Sequence, residues 1–153
     1  MLVKSPSLLL AFGFGSGLAP KAPGTFGSLA GLAIWFLIAD LSLPTYLIVV
    51  AISGLCGVFI CGAAAKKMGV HDHGGIVWDE FVGLWIAMTA LPVSWTSVLL
   101  GFGLFRFFDI IKPWPISWID KNLTGGWGIM LDDVAAGAAA SLTIYLLMSL
   151  GWL

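Results

Sequence analysis

Charged residues are scarce in this chain, and neither sign dominates. Only 10% of its 153 residues are Asp, Glu, Lys or Arg, and the net charge is −1. A soluble domain carries about 25% charged residues, whereas 59% of this chain is hydrophobic. The composition therefore predicts a membrane protein with a single domain over residues 1–153. It also argues against a nucleic acid partner, because nucleic acids are bound through an excess of basic side chains.

Cysteine and several known phosphatase signatures are also rare or missing. The two cysteines, Cys56 and Cys61, lie in one apolar run, and we interpret them as packed thiols rather than a disulfide. A cysteine phosphatase needs an arginine six positions after its cysteine, where Cys61 has Lys67 instead. No Walker lysine loop is present either. Any phosphate chemistry would have to use carboxylates and a metal ion.

Prolines and glycines divide the apolar sequence into five predicted membrane helices. We expect them over residues 25–43, 45–65, 76–91 and 96–112, and from Asp132-Asp133 to the C-terminus. The two aspartates are predicted to cap the fifth helix, because Asp satisfies free N–H groups at a helix start. Residues 7–17 are too short to cross about 30 Å of hydrocarbon and are predicted to be re-entrant or interfacial. The expected fold is an all-α, polytopic integral membrane helical bundle.

The charges are distributed unevenly along this path. If loops alternate between the two sides of the membrane, one side receives Lys4, Lys21, Lys66, Lys67, Lys112 and Lys121. Cytoplasmic loops carry the excess of Lys and Arg, so this side is predicted to be cytoplasmic. Every acidic residue except Asp40 lies at or near the same side. The sequence therefore predicts a functional site at the cytoplasmic face.

Residues 71–80 contain both histidines and three of the eight acidic residues. Asp79 and Glu80 open an otherwise uncharged helix at the membrane boundary, where charges are usually functional. They could instead be exposed charges that favour a helix N-terminus. His71 and His73 could be metal ligands or acid–base groups, or simply polar surface residues.

Two further groups carry candidate chemistry. One face of a predicted helix carries Arg106, Asp109 and Lys112. These side chains could face a phosphate group, or they could form an ion pair within the helix. Asp132 and Asp133 could be metal ligands, if they are more than a cap. Oxygen ligands without paired cysteines favour magnesium over zinc. Residues 24–28, with Lys21 beside them, could bind phosphate at a helix start or form an ordinary turn.

Four ordered blocks of the sequence resemble the phosphatidylglycerophosphatase A family of bacterial inner membranes. They cover residues 20–28, 71–83, 105–116 and 125–137, and the resemblance extends over about residues 12–145. It implies a multi-pass, magnesium-dependent membrane phosphatase. The implied substrate is the phospholipid phosphatidylglycerophosphate, and the implied products are phosphatidylglycerol and inorganic phosphate. Oligomeric state is not predicted.

The resemblance also suggests roles for individual residues. The expected metal ligands are Asp79, Glu80, Asp132 and Asp133. The expected catalytic residues are Asp79, Glu80 and Asp109, and the expected phosphate-binding residues are Arg106, Lys112, Lys21, Thr25 and Ser28. His71 and Asp72 are expected to act as acid–base groups or to support the site.

Three questions are left open by the sequence. The nucleophile could be water or a carboxylate, and Asp109 could be a ligand, a base or the partner that orients Arg106. A lipid phosphotransferase or a small ion-coupled transporter is an alternative function. A transporter is disfavoured, because its charged groups usually lie near the midplane of repeated units, and this chain shows no repeat.

Overall fold

The computed structural model describes residues 4–153 and confirms the all-α class over that range. Between these residues the chain forms seven α-helices and one 3-10 helix, with no strand. The helices are α1 (Pro6–Ala11), a 3-10 helix (Gly13–Leu18), α2 (Pro23–Ile38), α3 (Leu43–Met68), α4 (Trp78–Ala87), α5 (Trp95–Ile111), α6 (Ile116–Asn122) and α7 (Gly125–Ser149).

The boundary between the first two long helices differs from the prediction. Helix α2 ends at Ile38 rather than at residue 43, and Pro44 lies in the first turn of α3 instead of ending the preceding helix. Proline is accepted there because an N–H in the first turn has no helical partner to lose. Gly69, with a positive φ of 69°, ends α3 as a left-handed C-cap.

Helix α4 is shorter than predicted, and α6 was missed. Residues 76 and 77 precede α4 without helical structure, and the N–H of Val77 donates to the carbonyl of Ala11 at 2.8 Å. Helix α6 lies between the fourth and fifth predicted helices. The sequence does not predict it, because seven residues are too few to show a clear helical period. Helix α5 lies within one residue of its predicted range at both ends.

The predicted cap of the last long helix is wrong. Helix α7 begins at Gly125, so Asp132 and Asp133 lie about two turns inside it and are buried. Its glycines allow close helix packing: a Cβ on Gly126 would overlap the carbonyl of Val58 in α3, and one on Gly137 would overlap the carbonyl of Gly83 in α4. Helix α7 therefore packs closely against both neighbours, as small residues permit in membrane bundles.

Much of the bundle surface is apolar. Two helices in the described residues, α3 and α7, are long and apolar enough to cross a membrane, and α2 is a shorter apolar helix. Large side chains such as Leu37, Phe59 and Trp95 are about four-fifths exposed. Soluble monomers rarely expose large contiguous apolar patches, so this surface fits a membrane protein.

The two cysteines differ in their surroundings. Both are free, and Cys61 is fully buried, so the prediction of a packed thiol is confirmed for this residue. Cys56 is exposed, and the same prediction is wrong for it. Its position lies on the outward apolar face of α3 rather than in the contact with α7.

Candidate functional site

A polar cavity of about 320 Å³ lies where α2 and α4 begin and α5 ends. It collects every acidic residue of the chain except Asp40 and Asp120. The acidic residues that line it are Asp72, Asp79, Glu80, Asp109, Asp132 and Asp133, and the basic ones are Arg106 and Lys112. We call this space the acidic cavity. The lining residues come from distant parts of the sequence, from Ala22 to Asp133, and meet here because α4 packs against both α2 and α7.

Asp79 and Glu80 come from the first turn of α4 and are less than one-tenth exposed. Adjacent helical residues point about 100° apart, so the two carboxylates share the cavity only because other helices surround it. The buried hydroxyl of Ser28 in α2 donates a hydrogen bond of 2.8 Å to Oε2 of Glu80. This bond fixes the Glu80 carboxylate against the start of α2.

Arg106 joins two of the carboxylates. Its Nη1 atom donates to Oδ2 of Asp109 on the next turn of α5, and lies 3.4 Å from Oε2 of Glu80. The ion pair within α5 that the spacing indicated is therefore present, together with a third group from α4. Ser28, Glu80, Arg106 and Asp109 form one continuous polar network across three helices.

Lys112 joins two further carboxylates at the end of α5. Its ammonium group donates to Oδ2 of Asp132 at 2.8 Å and to Oδ1 of Asp120 at 3.0 Å. Partial burial alone would lower the pKa of Lys112, but the hydrogen bonds and negative charges of Asp132 and Asp120 outweigh it. The pKa of Lys112 is therefore raised, and the side chain stays protonated.

Two carboxylate oxygens in this region lack a partner. Oδ1 of Asp79 and Oδ2 of Asp133 are buried and accept no hydrogen bond. Burying an uncompensated negative charge is costly, and six carboxylates here face only two basic side chains. The donor chemistry and the free oxygens fit a hard divalent cation, which prefers oxygen ligands.

The acidic side chains are not already arranged as a finished metal site. Among residues 4–153, no group of three His, Cys, Asp or Glu side chains converges closely enough to hold a metal ion. The carboxylates would have to rotate toward a cation for several of them to bind it together. The ligand roles of Asp79, Glu80, Asp132 and Asp133 therefore stay predictions.

Gly24 lies in close contact with the polar network. A Cβ atom at this position would lie 2.5 Å from Oε1 of Glu80 and 3.1 Å from Nη2 of Arg106. Both Gly24 and Pro23, in the first turn of α2, line the acidic cavity. The absence of a side chain at Gly24 therefore lets the start of α2 approach Glu80 and Arg106 this closely.

Several predicted residues lie outside the acidic cavity. Lys21, Thr25 and His71 do not line it, and Ser28 lies behind Glu80. His73 accepts a hydrogen bond from the N–H of Gly75 at 3.0 Å, within the loop before α4. The functional roles proposed for these residues stay predictions.

The sequence also missed three features of the site. Asp120 pairs with Lys112 from α6, a helix that was not predicted. Ser28 contacts Glu80 over 52 positions of sequence, and no local pattern signals such a contact. The backbone of Ala22, beside Pro23 and Gly24, also lines the cavity. In the sequence, only the glycine and proline at this helix start indicated that this segment could belong to the site.

Comparison with known proteins gives one consistent family. The family model described as phosphatidylglycerophosphatase A matches residues 9–148. Phosphatidylglycerophosphatase A of Escherichia coli (strain K12) is 51% identical over 94% of this chain and 84% of its own length. The protein of the same name from Haemophilus influenzae is 50% identical over 92% of this chain and 88% of its own length.

A third relative carries a different name. A Bacteroides thetaiotaomicron protein provisionally named phosphatidylinositol-3-phosphatase is 36% identical over 93% of this chain and 95% of its own length. No solved structure matches the chain. All three relatives are named as phosphatases that act on the headgroup of a phospholipid.

Proposed function

Because this chain belongs to the phosphatidylglycerophosphatase A family, we propose that it hydrolyses the terminal phosphate of phosphatidylglycerophosphate with the help of magnesium. The products are phosphatidylglycerol and inorganic phosphate. Two relatives of this name are 51% and 50% identical to this chain in sequence, over more than nine-tenths of its length.

The observation that carries this proposal is the acidic cavity itself. In a chain with few charges, six carboxylates, Arg106 and Lys112 share one space at one end of an apolar bundle. Such a cavity can receive a cation together with a phosphate group, while the surrounding helices remain in lipid. The acyl chains of a phospholipid could stay in the leaflet as its headgroup reaches the site.

Asp79 and Asp133 are the first choice as magnesium ligands, because each has a buried oxygen without a partner. Glu80 and Asp132 line the same cavity and complete the proposed set of ligands. Bound magnesium would polarise the phosphoryl oxygens and offset their negative charge. The Ser28 hydroxyl holds the Glu80 carboxylate in a fixed direction.

Arg106 and Lys112 would bind the phosphate group. Arginine can donate two parallel hydrogen bonds to neighbouring phosphate oxygens, and Arg106 lines the acidic cavity beside Gly24. Asp109 accepts a hydrogen bond from Arg106 and so orients it. In the overall reaction, oxygen from water bonds to phosphorus, the bond from phosphorus to the glycerol oxygen breaks, and that oxygen gains a proton.

We place the site at the cytoplasmic face of the bacterial inner membrane, in a multi-pass chain. The lysines cluster on the side of the predicted topology that carries the acidic residues. Helices α3 and α7 are long enough to cross the membrane. The charged cavity lies at one end of the bundle rather than midway along it, which argues against a transporter.

The test is phosphate release from phosphatidylglycerophosphate in detergent micelles, with magnesium and with excess chelator. We expect release with magnesium, none with chelator, and recovery when magnesium is restored. The Asp40→Asn protein is the matched control for substitutions in the cavity, because Asp40 is exposed and lies outside it. Release that continues in excess chelator would contradict the magnesium requirement. No release from folded protein would contradict the proposed reaction.

A further inference from the structure

A second and larger cavity, of about 730 Å³, lies between α3 and α7. Two basic residues, Lys66 and His71, line it, and no acidic residue does. The rest of its lining is mainly apolar or small, including Val58, Phe59 and Trp127. We call it the basic groove. Its charge is opposite to that of the acidic cavity, so the two spaces suit different parts of a ligand.

Small residues let α3 and α7 approach each other closely beside this groove. Gly62 and Gly126 line the groove where α3 and α7 come closest. A Cβ on Gly62 would lie 3.3 Å from the backbone nitrogen of Gly126. Phe59 and Trp127 line the same groove and are 77% and 55% exposed, so the groove reaches the apolar outer surface of the bundle.

The basic groove adjoins the acidic cavity through a short loop. His71 lines the groove, and the next residue, Asp72, lines the acidic cavity. Consecutive Cα atoms are about 3.8 Å apart, so this loop contributes to both spaces at once. A ligand with two polar groups joined by a short linker could therefore occupy both.

We propose that the basic groove binds the phosphodiester of the lipid substrate, together with the start of its acyl chains. This inference rests on the proposed function. The lipid substrate carries a terminal phosphate monoester and, one glycerol unit away, a diester phosphate linked to diacylglycerol. The Lys66 ammonium group pairs with the diester, and the side chains of Val58, Phe59 and Trp127 contact the chains beside it.

This arrangement predicts how the enzyme selects its substrate. The acidic cavity takes the monoester that is removed, and the basic groove recognises the diester that remains in the product. Lipids that combine both phosphates fill both sites, whereas a lipid with only a monoester fills one. Lys66 and His71 are then specificity residues that do not touch the bond being broken.

The two reaction products separate the two sites experimentally. Short-chain phosphatidylglycerol retains the diester and should compete for the basic groove, whereas inorganic phosphate should compete for the acidic cavity. We expect Lys66→Ala to raise the inhibition constant of dihexanoyl phosphatidylglycerol about tenfold, the loss typical of one charge-assisted hydrogen bond. The inhibition constant of inorganic phosphate should not change. Lys66→Arg should retain most of the wild-type affinity for the lipid.

Lys67 provides the matched control. It is the neighbouring lysine, its ammonium group donates to Ser5 and Ser7 at 2.6 and 2.9 Å, and it does not line the groove. Lys67→Ala should leave both inhibition constants unchanged. An equal effect of the Lys66 and Lys67 substitutions would overturn the inference, as would wild-type protein that phosphatidylglycerol does not inhibit.

Calorimetric titration of dihexanoyl phosphatidylglycerol into the protein, in detergent, separates this inference from the proposed function. Binding that depends on Lys66, in a protein that releases no phosphate, would contradict the proposed reaction and support the groove. Phosphate release without any such binding would overturn the groove and leave the reaction intact. Dihexanoyl glycerol, which lacks the diester, should not bind with comparable affinity.

Discussion

The hydroxyl of Ser28 donates a buried hydrogen bond of 2.8 Å to the carboxylate of Glu80, which lies 52 residues later in the chain. Arg106 lies 3.4 Å from the same carboxylate oxygen. The Glu80 side chain is therefore held between α2 and α5 rather than exposed at the start of its own helix. This contact changes the interpretation of Ser28, which the sequence suggested as a phosphate-binding residue.

Replacing Ser28 by Ala should lower kcat about tenfold and change KM little. The substitution removes one hydrogen bond to a charged group and lets the Glu80 carboxylate turn away from its fixed direction. The measurement is steady-state phosphate release at saturating magnesium. Ser97→Ala is the matched control, since Ser97 is also buried but lies at the start of α5, at the other end of that helix from Arg106. Wild-type kcat in Ser28→Ala would show that Ser28 does not position Glu80.

Asp79→Asn should reduce activity by at least about a hundredfold, because loss of a metal ligand should cost no less than the tenfold to hundredfold loss typical of residues that only support a ligand. Its thermal stability in excess chelator should be equal to or above that of the wild type, because the substitution removes a buried carboxylate that has an oxygen without a partner. Added magnesium should raise the unfolding temperature of the wild type but not of this variant. These shifts can be measured by differential scanning fluorimetry in detergent.

Asp133→Asn should behave in the same way, because Asp133 also has a buried oxygen without a partner. Asp40→Asn, at an exposed site, should match the wild type in activity and in its response to magnesium. If Asp79→Asn kept a tenth of the wild-type activity, its role as a ligand would be refuted.

Gly24→Ala should lower kcat/KM about tenfold or more without loss of stability. The added methyl group would overlap Oε1 of Glu80 and displace the Glu80 and Arg106 side chains, and small displacements of catalytic groups are costly to rate. The helix itself should tolerate the change, because alanine has a higher helix propensity than glycine. Gly103→Ala is the control, since a Cβ at Gly103 in α5 would meet no atom within 4 Å. Equal effects at both positions would mean that the close contact of Gly24 with Glu80 and Arg106 has no role in activity.

Lys112→Met should lower the free energy of unfolding by about 1–3 kcal/mol, because it leaves the buried Asp132 carboxylate without its cationic partner. The pKa of Lys112 is raised in the folded protein. Its stabilising contribution is therefore complete below the pKa of the unfolded chain, and is lost only as pH rises through the higher folded value. The stability difference from the wild type should stay constant between about pH 8 and pH 9, where Lys112 is protonated in both the folded and the unfolded chain and its partner carboxylate in the wild type is ionised.

Chemical or thermal unfolding in detergent at several pH values would measure this difference. Lys121→Met is the control, because Lys121 is exposed and makes no ion pair in the described part of the chain. A stability difference that disappears between about pH 8 and pH 9 would contradict the raised pKa of Lys112.

Much of the candidate site could be predicted because charge is so rare in this sequence. Where charged residues are costly, those that remain indicate either function or a helix end. This argument selected Asp79, Glu80 and Arg106, and the structure places all three in the acidic cavity. The same argument could not predict that His71 and Asp72 line different cavities, since neighbouring loop residues can face different spaces.

Helix boundaries were predicted less well. Pro44 was expected to end the first long helix, but it lies in the first turn of α3. Its missing N–H costs nothing there. The aspartates at 132 and 133 were read as a cap, although glycines at 125, 126 and 128 already belong to the helix. Glycine lowers helix propensity, but close packing against α3 and α4 stabilises α7 despite it.

The sequence alone determined the helical class, the apolar surface and the set of residues that can carry chemistry. It could do so because hydrophobicity, helix-breaking residues and rare charges are properties of the chain itself. Only the tertiary structure decided which of these residues meet. The contact of Ser28 with Glu80, the bridge of Lys112 to Asp132 and the separation of the acidic cavity from the basic groove depend on how α2, α3, α4, α5 and α7 pack. That packing is set by surface shape, through glycines that let backbones approach, and no local pattern of sequence encodes it.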